Sequence, residues 1–235
     1  MKAVILCGGL GTRISQETYN KPKPMIKIGR IPILEHIINF YIKQNVNEVI
    51  LLLGYKGKII RNYFDKKRFK SKIKFIDTGL NTLTGERLLR AKKQLIKEES
   101  FMVTYGDGLC NVNLKRLLNF HYKHKKIATV TAVRPPARFG EIYIKKKNMV
   151  KKFVEKPQIS SGWINGGFFI FNKDVFKYLS KKQMLEREPL TKLAKTKNLF
   201  AYKHHGFWQC MDTKRDHDLL KNMIKKNKKL PWTKI

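Results

Sequence analysis

The segment Ala3–Arg13, with the sequence AVILCGGLGTR, determines the kind of fold that this chain adopts. Its first four residues, Ala3–Leu6, form a continuous apolar run, which is typical of a strand buried on both faces. Glycines follow at Gly8, Gly9 and Gly11, and such a turn lets the backbone approach a phosphate and direct N–H groups toward it. The turn lacks the Gly-Lys-Ser/Thr ending of a Walker loop, and its spacing differs from G-x-G-x-x-G. The segment therefore predicts a buried strand that leads into a phosphate-binding turn of another kind.

Cationic residues follow the glycine turn closely. Arg13 comes directly after the glycines, and Lys23 lies between Pro22 and Pro24. Proline fixes its own backbone φ angle, so the two prolines stiffen the segment that presents the Lys23 ammonium group. A strand, three glycines, an arginine and a rigid lysine in this order indicate a phosphate-binding site. The simpler alternative is a glycine turn flanked by surface cations.

Strand-like and helix-like segments alternate through the first half of the chain. The apolar residues of Ile33–Asn45 have the i, i+3, i+4, i+7 spacing of an amphipathic helix, whereas Glu48–Leu53 is another apolar run. The other predicted segments of this half are a helix at Lys58–Phe64, a strand at Ile73–Ile76, a helix at Glu86–Ile96 and a strand at Phe101–Tyr105. This alternation predicts an α/β fold, a mostly parallel sheet with helices on both faces. Ligands of such sheets bind beyond the carboxyl ends of the strands.

The second half of the chain interrupts this alternation. Glu141–Glu155 alternates polar and apolar residues, which predicts a small antiparallel excursion of two strands. Around it the sequence predicts helices at Leu114–His124, Lys173–Leu179 and Thr213–Lys225 and strands at Ile127–Val133, Phe168–Phe171 and Leu199–Tyr202. Because no internal repeat or long linker divides the chain, residues 1–235 are predicted to form a single domain.

The composition is strongly basic, with 51 Lys and Arg residues, 17 Asp and Glu residues and a net charge of +34. Such a charge attracts polyanions, so a basic nucleic-acid-binding protein is an alternative from another functional class. The basic residues are nevertheless spread along the chain, and no helix-turn-helix, zinc-finger or RNP-like pattern accompanies them. We therefore expect most of them on solvated helix faces and loops, and we do not expect nucleic acid as a partner.

Cysteine usage and the length of the apolar stretches indicate the compartment. Cys7, Cys110 and Cys210 are far apart and odd in number, which argues against a disulfide framework. The N-terminal apolar run is too short for a secretory signal, and no stretch approaches the roughly 18 apolar residues of a membrane span. We expect a cytoplasmic protein without a membrane partner.

Polar residues of three further motifs are candidate ligands. Asp107 stands between two glycines at the end of a predicted strand, where it is either a Mg²⁺ ligand or a turn residue. Asp212 precedes a predicted helix, where it is either a second ligand or an N-cap. Glu155–Pro157 and Trp163–Gly167 contain Glu, Lys and Asn side chains that suit sugar hydroxyls and a phosphate. By contrast, His121 and His124 lack a third metal ligand nearby, and we expect them on a helix surface.

Together these elements resemble the sugar-phosphate nucleotidyltransferase family over almost the whole chain. The matching stretches include MKAVILCGGLGTR, NKPKPMIKIG, DTGLNTLTGERLLR, TYGDG, WINGGFFIF and HHGFWQCMDTKRD. The stretches TYGDG, FWQCMDT and INGGFF are most similar to the cytidylyl-transferring branch. The resemblance implies a Rossmann-like sheet, a Mg²⁺ cofactor and transfer of a cytidylyl group from CTP to glucose 1-phosphate, giving CDP-glucose and pyrophosphate. Uridylyl or thymidylyl transfer stays open, because base selection depends on a few hydrogen bonds that no motif locates.

The resemblance also implies roles for individual residues. The nucleoside triphosphate would be bound by Leu6, Gly8, Gly9, Gly11, Thr12, Arg13, Lys23, Thr82, Arg87 and Asp107. The sugar 1-phosphate would be bound by Glu155, Lys156, Asn165 and Gly166. Asp107 and Asp212 would hold Mg²⁺, and the catalytic cations would be Arg13, Lys23 and Lys156.

The chain departs from the family pattern in several places. Cys7 replaces a small apolar residue, Arg30 and Glu86 replace glycines, and Cys210 replaces a proline. The segment after Phe64 is also shorter than in family members that carry an insertion there for subunit contacts. The sequence therefore leaves homo-oligomerisation open.

Overall fold

The computed structural model describes residues 1–14, 18–135, 141–144, 146–154, 162–226 and 229–234. Its strands are β1 Lys2–Leu6, β2 Lys27–Ile28, β3 Ile31–Pro32, β4 Glu48–Leu53, β5 Lys72–Asp77, β6 Ser100–Tyr105, β7 Gly108–Cys110, β8 Ala128–Val133, β9 Glu141–Ile144, β10 Val150–Val154, β11 Ile164–Asn172, β12 Leu199–Lys203 and β13 Trp208–Cys210. Its α-helices are α1 Ile33–Lys43, α2 Gly57–Phe64, α3 Thr84–Arg90, α4 Lys92–Leu95, α5 Leu114–His124, α6 Glu188–Lys195 and α7 Lys214–Lys226. Short 3₁₀ helices occur at Thr12–Ile14, Lys23–Met25, Lys146–Asn148, Lys173–Lys177 and Pro231–Thr233.

A seven-stranded sheet forms the centre of the molecule, in the order β12-β8-β11-β6-β1-β4-β5. Strand β1 is parallel to β4 and to β6, and β4 is parallel to β5. Strand β11 runs antiparallel to both of its neighbours, β6 and β8. The expected Rossmann-like α/β fold with a mostly parallel sheet is confirmed.

Strand β1 shows why the opening apolar run determines the fold. Ala3 and Ile5 face one core cluster, which includes α1, while Val4 and Leu6 face the other, which includes α3. These four residues are 0 to 8% exposed, so both faces of the sheet are covered. A strand buried in this way needs apolar residues at every position, which explains the absence of alternation in its sequence.

The predicted antiparallel excursion is confirmed, because β9 and β10 pair as a separate antiparallel ladder.

Two helix predictions need correction. The helix predicted at Lys173–Leu179 is a 3₁₀ helix at Lys173–Lys177, which brings Val175 and Phe176 into the core within five residues. The helix predicted at Glu86–Ile96 is divided into α3 and α4 at Ala91, which is fully buried.

The features that were not predicted include helix α6, the small antiparallel ladder of β2 with β3, and a further small ladder in which β7 pairs antiparallel with β13. The β7–β13 ladder is important for the site, because each of its strands lies next to one of the two candidate metal-binding aspartates. Within the described part of the chain, no helix has the length and apolar character needed to cross a bilayer.

Candidate active site

A large open cleft lies beyond the carboxyl ends of β1 and β6, where ligands of parallel sheets bind. Its lining includes the glycine turn Gly8–Gly11 and the turn that contains Asp107. The backbone connects these two turns, because the Gly106 N–H donates a hydrogen bond to the Leu6 carbonyl over 3.1 Å. A Cβ at Gly106 would lie 3.2 Å from that carbonyl oxygen and 2.9 Å from the Pro24 ring. A glycine is therefore required for the two turns to approach this closely.

Lys23, Asp107 and Asp212 form the charged centre of the cleft. The Lys23 Nζ atom lies 2.6 Å from Asp107 Oδ2 and 2.6 Å from Asp212 Oδ1. Burial opposes the charged form of Lys23, but the two carboxylates outweigh burial and raise the pKa of Lys23. The ammonium group is thus held in its charged state between two anions, although only 8% of Lys23 is exposed.

The β7–β13 ladder explains how two aspartates so distant in sequence converge. Asp107 directly precedes β7 and Asp212 follows β13, and Gly108 pairs with Cys210 in the ladder. Beyond this pair, the Met211 N–H donates to the Asp107 carbonyl over 2.9 Å. The expected convergence of Asp107 and Asp212 at the glycine turn is therefore present in the structure.

Asp216, in the first turn of α7, holds the Asp212 segment in place. Its Oδ2 atom accepts hydrogen bonds from the backbone N–H groups of Asp212 and Thr213, over 3.0 and 2.8 Å, and from the Thr213 hydroxyl. The Thr213 hydroxyl in turn accepts the Asp216 N–H, which completes a capping-box arrangement with Asp in place of Glu. Thr213 and Asp216, not Asp212, form the capping box of this helix, and the Asp212 carboxylate contacts Lys23 in the cleft. Sequence reasoning missed Asp216, although the spacing Thr-x-x-Asp before a helix would have indicated it.

Arg87 lies beneath the glycine turn and connects the surrounding loops. Its guanidinium group donates hydrogen bonds to the carbonyl oxygens of Gly8, Leu53, Gly79 and Leu80, over 2.8 to 3.1 Å, and to the Thr78 hydroxyl. A Cβ at Gly8 would lie 2.2 Å from the Arg87 Cζ atom, so only glycine fits there. Arg87 is 3% exposed, and burial lowers its pKa. Arg87 therefore shapes the nucleotide side of the cleft by holding its backbone.

The other residues expected on the nucleotide side also line the cleft. Leu6 lies just before the glycine turn, Gly9 and Gly11 belong to it, and Thr12 comes directly after it. Thr82, in the segment before α3, also lines the cleft. Thr82 is buried and donates its hydroxyl hydrogen bond to the Thr78 carbonyl.

Residues of β11 and its neighbours form the other wall of the cleft. Asn165 and Gly166, the expected sugar ligands, line it, and the Trp208 indole N–H donates to the Gly166 carbonyl over 2.7 Å. Between Asn165 and Phe169 the register of β11 against β8 shifts. Glu186, which sequence reasoning did not single out, lines the same wall.

Three predicted site residues cannot be compared with the structure. Glu155 and Lys156 lie outside the described residues, and so does the side chain of Arg13. Their assignments stay predictions.

The surface location predicted for His121 is wrong. The His121 ring is 2% exposed, and both His121 and His124 make hydrogen bonds to the Thr129 hydroxyl. Burial first and His124 second lower the pKa of His121 to about 4. Among the described residues, no group of three His, Cys, Asp or Glu side chains could hold a metal ion. The rings of His121 and His124 pack against each other, and the His124 ring stacks on Phe200.

The fold, the glycine turn and the paired aspartates are those of an enzyme that binds a nucleotide at the end of a parallel sheet. The chain belongs to the nucleotidyl transferase family, which it matches over residues 2–215. It is 41% identical to glucose-1-phosphate cytidylyltransferase of Salmonella typhimurium, over 99% of this chain and 98% of the relative. It is 44% identical to a probable glucose-1-phosphate cytidylyltransferase of Bacillus subtilis, over 97% of this chain and 95% of the relative.

Solved structures share the fold. HddC from Yersinia pseudotuberculosis has a TM-score of 0.76 and 27% sequence identity, covering 95% of this chain and 99% of that protein. A UDP-glucose pyrophosphorylase complexed with UDP-glucose has a TM-score of 0.74 at 20% identity, covering 96% of this chain and 98% of that protein, and at this identity the likeness concerns the fold alone. The alignment with the Salmonella relative spans 255 positions, more than the 235 residues of this chain. The relative therefore has residues without a counterpart here.

Proposed function

We propose that this chain transfers a cytidylyl group from CTP to glucose 1-phosphate, giving CDP-glucose and pyrophosphate. The observation that carries the proposal is the pair of carboxylates, Asp107 and Asp212, which share one lysine ammonium beside a glycine turn. Two relatives that match nearly the whole chain and bear this activity in their names support the choice of substrates.

The carboxylate pair fits a divalent cation. Both carboxylates lie 2.6 Å from the same nitrogen, so they are close enough to share one ion, and carboxylate oxygens are the ligands that Mg²⁺ prefers. Asp107 and Asp212 would hold Mg²⁺, which, when bound, neutralises negative charge on the phosphate groups. Asp216 would keep Asp212 oriented for this role through the two backbone hydrogen bonds that it accepts.

The chemical step joins two anions, so positioning and charge neutralisation supply most of the rate. A phosphate oxygen of glucose 1-phosphate attacks the α-phosphorus of CTP, a new P–O bond forms, and the bond to the β-phosphate breaks. The attacking phosphate is already ionised near neutral pH, so no general base is needed. Lys23 would contact the nucleotide phosphates, Arg13 the leaving pyrophosphate, and Lys156 the incoming phosphate.

Arg87 contributes indirectly to nucleotide binding. Because the carbonyls of Gly8 and Leu80 both accept hydrogen bonds from its guanidinium group, Arg87 keeps the two loops of the nucleotide side at a fixed separation. The expectation that Arg87 contacts the nucleotide stays a prediction, and the positioning role accounts for its hydrogen bonds.

A pyrophosphate-release assay tests the proposal. The purified chain is offered CTP, UTP, dTTP, ATP and GTP, each with glucose 1-phosphate and with several other sugar 1-phosphates. We expect the highest kcat/KM for CTP with glucose 1-phosphate. Preference for UTP or dTTP would replace the cytidylyl assignment with the uridylyl or thymidylyl alternative. DNA or RNA binding with steep salt dependence and no pyrophosphate release would favour the nucleic-acid alternative.

Replacement of one carboxylate tests the site itself. We expect Asp107→Ala to lower kcat by about 100-fold or more, because the loss of one such electrostatic contact costs about 3 kcal/mol of transition-state stabilisation. Circular dichroism should show a folded chain. Near-normal turnover of this variant at saturating Mg²⁺ would contradict the assignment of Asp107.

A further inference from the structure

Glu186 presents a carboxylate to the cleft wall, and no role described above uses it. The Tyr105 hydroxyl donates a hydrogen bond to its Oε1 atom, and the Thr84 hydroxyl donates one to its Oε2 atom over 2.6 Å. Within the described part of the chain, no Lys, Arg or His side chain forms an ion pair with Glu186. The chain has three times as many basic as acidic residues, so a cleft carboxylate without a cationic partner among the described residues calls for another explanation.

Neighbouring groups fix the position of this carboxylate. The Thr84 hydroxyl also accepts the Leu185 N–H over 2.9 Å, so Thr84 and Glu186 hold each other in place. The Tyr105 ring packs against Gly167, which has a φ angle of +76° and where a Cβ would lie 2.6 Å from the ring. Burial first, and then Glu186, raise the pKa of Tyr105, so its hydroxyl keeps its proton and stays a hydrogen-bond donor.

The chemistry of this wall suits a neutral, hydroxyl-bearing ligand. An ionised carboxylate only accepts hydrogen bonds and has about four acceptor positions, of which the two hydroxyls occupy two. The positions that are left can accept from a ligand O–H group, whereas the negative charge repels a phosphate. This wall and the charged centre around Lys23 therefore suit different parts of a substrate. The wall suits hydroxyl groups, and the charged centre suits phosphates.

Two parts of the substrates carry hydroxyls, the ribose of the nucleotide and the pyranose of the sugar phosphate. The surroundings of Tyr105 favour the pyranose. The Tyr105 ring contacts Gly167, and Gly167 donates its N–H to the side-chain oxygen of Asn165 over 2.8 Å. Asn165 and Gly166 are the described residues that the family resemblance assigns to the sugar.

We propose that Glu186 determines sugar specificity by accepting a hydrogen bond from a ring hydroxyl of the sugar 1-phosphate. Tyr105 and Thr84 act as positioning residues that orient the carboxylate. The inference rests on the proposed function, because it names the part of the sugar phosphate that this wall recognises.

The experiment compares four full-length proteins: the wild type, Glu186→Gln, Tyr105→Phe and the control Glu188→Gln. Glu188 is an exposed residue two positions further on, so the control makes the same chemical change away from the cleft. Pyrophosphate release is measured with CTP and glucose 1-phosphate and with its 2-, 3-, 4- and 6-deoxy analogues. Thermal unfolding of each protein checks that it is folded.

For glucose 1-phosphate we expect Glu186→Gln to lower kcat/KM by about 10- to 100-fold, as the loss of a hydrogen bond to a charged group does. Tyr105→Phe should cause a smaller loss, and Glu188→Gln almost none. The KM for CTP should change less than about twofold. For one deoxy analogue, which the wild type already uses poorly, Glu186→Gln should cause no further loss, because the hydroxyl that Glu186 binds is missing.

An equal loss for all five sugars would overturn the inference, because it would indicate a structural role for Glu186. A rise in the KM for CTP with the sugar kinetics unchanged would also overturn it, because the carboxylate would then bind the ribose. If the wild type is active and Glu186→Gln has the same kcat/KM for every sugar, this inference alone would be rejected. Absence of pyrophosphate release by the wild type with every pair of substrates would reject the proposed function, and the inference with it.

Discussion

Two buried cations line the same cleft, Lys23 and Arg87, and they differ in what surrounds them. The glycine turn packs against both, because a Cβ at Gly8 would collide with Arg87 and a Cβ at Gly11 would lie 3.1 Å from the Lys23 Cβ. Lys23 contacts two carboxylates, Asp107 and Asp212, whereas Arg87 contacts four carbonyls and one hydroxyl of its own fold.

The difference predicts a phosphate-binding role for Lys23 and a structural role for Arg87. Carboxylates at a cleft can exchange an ammonium group for another cation, and the ammonium can then interact with a phosphate. A guanidinium group surrounded by carbonyl oxygens has no such alternative, because its departure would leave buried acceptors without donors. Burial and charge are similar at the two positions, so the chemistry of the partners distinguishes their roles. The following predictions test that distinction.

Arg87→Met should have the largest effect, and it should be an effect on stability. Loss of the guanidinium group leaves buried carbonyl oxygens unpaired, and removal of one partner from a buried charged network costs about 3 to 5 kcal/mol of unfolding free energy. Urea unfolding measures the loss. The matched control is Arg90→Met, three residues further along α3, because the Arg90 side chain is 48% exposed and its pairing with Glu86 contributes only about 1 kcal/mol. Equal stability losses in the two variants would contradict the structural role of Arg87.

In contrast to Arg87→Met, Lys23→Met should cause a large loss of activity and a small loss of stability. We expect kcat to fall about 100-fold or more, because the phosphates lose a charged partner that acts in the transition state. Pyrophosphate release with CTP and glucose 1-phosphate measures the loss. Lys21→Met is the matched control, since it removes the same charge two residues away and should keep most of the activity. If both variants lose activity equally, the general positive charge of the cleft and not the position of Lys23 would be responsible.

His121 extends the comparison to a buried group that can lose its charge. Its pKa is lowered to about 4, below the ordinary value of 6.5, so the unfolded chain binds the proton more readily. The stabilising contribution is present above pH 6.5 and is lost as the pH falls below it. We expect the free energy of unfolding to fall by about 2 kcal/mol between pH 7 and pH 5 from this residue.

Urea unfolding at pH 7, 6 and 5 gives the slope of the unfolding free energy against pH. The contribution of His121 is the difference in this slope between the wild type and His121→Gln. The exposed residue His205 supplies the control, His205→Gln, which makes the same chemical change at the surface. An unchanged slope in His121→Gln would show that the pH dependence has another source.

Asp216→Ala should have the smallest effect, and it should lower both stability and activity. Loss of the hydrogen bonds that Asp216 accepts in the capping box costs about 1 kcal/mol of stability. Because the Asp212 N–H also loses its acceptor, we expect the Mg²⁺ concentration for half-maximal activity to rise several-fold while the KM for CTP changes little. Asp218→Ala, which removes a negative charge from the same helix, is the control. An unchanged Mg²⁺ dependence would limit Asp216 to helix capping.

Residues with a local signal were predictable from the sequence. The strand in β1 followed from a continuous apolar run, and Asp107 followed from its position between glycines at a strand end. Glu186 and Asp216 were not found as candidate residues. Glu186 has no sequence pattern around it, because its partners Tyr105 and Thr84 lie far away in the chain. The burial of His121 was missed because its partner, the Thr129 hydroxyl, lies on the following strand.

The sequence by itself determined the parallel sheet, the glycine turn and the family, because these depend on residue spacing within short segments. The tertiary structure decided which charges meet. The antiparallel pairing of β7 with β13 brings Asp107 and Asp212 to the same lysine, and the loops around Gly8 and Leu80 close on Arg87. The physical reason is that electrostatic and hydrogen-bond energies depend on distances of a few ångströms, and only the folded backbone sets those distances.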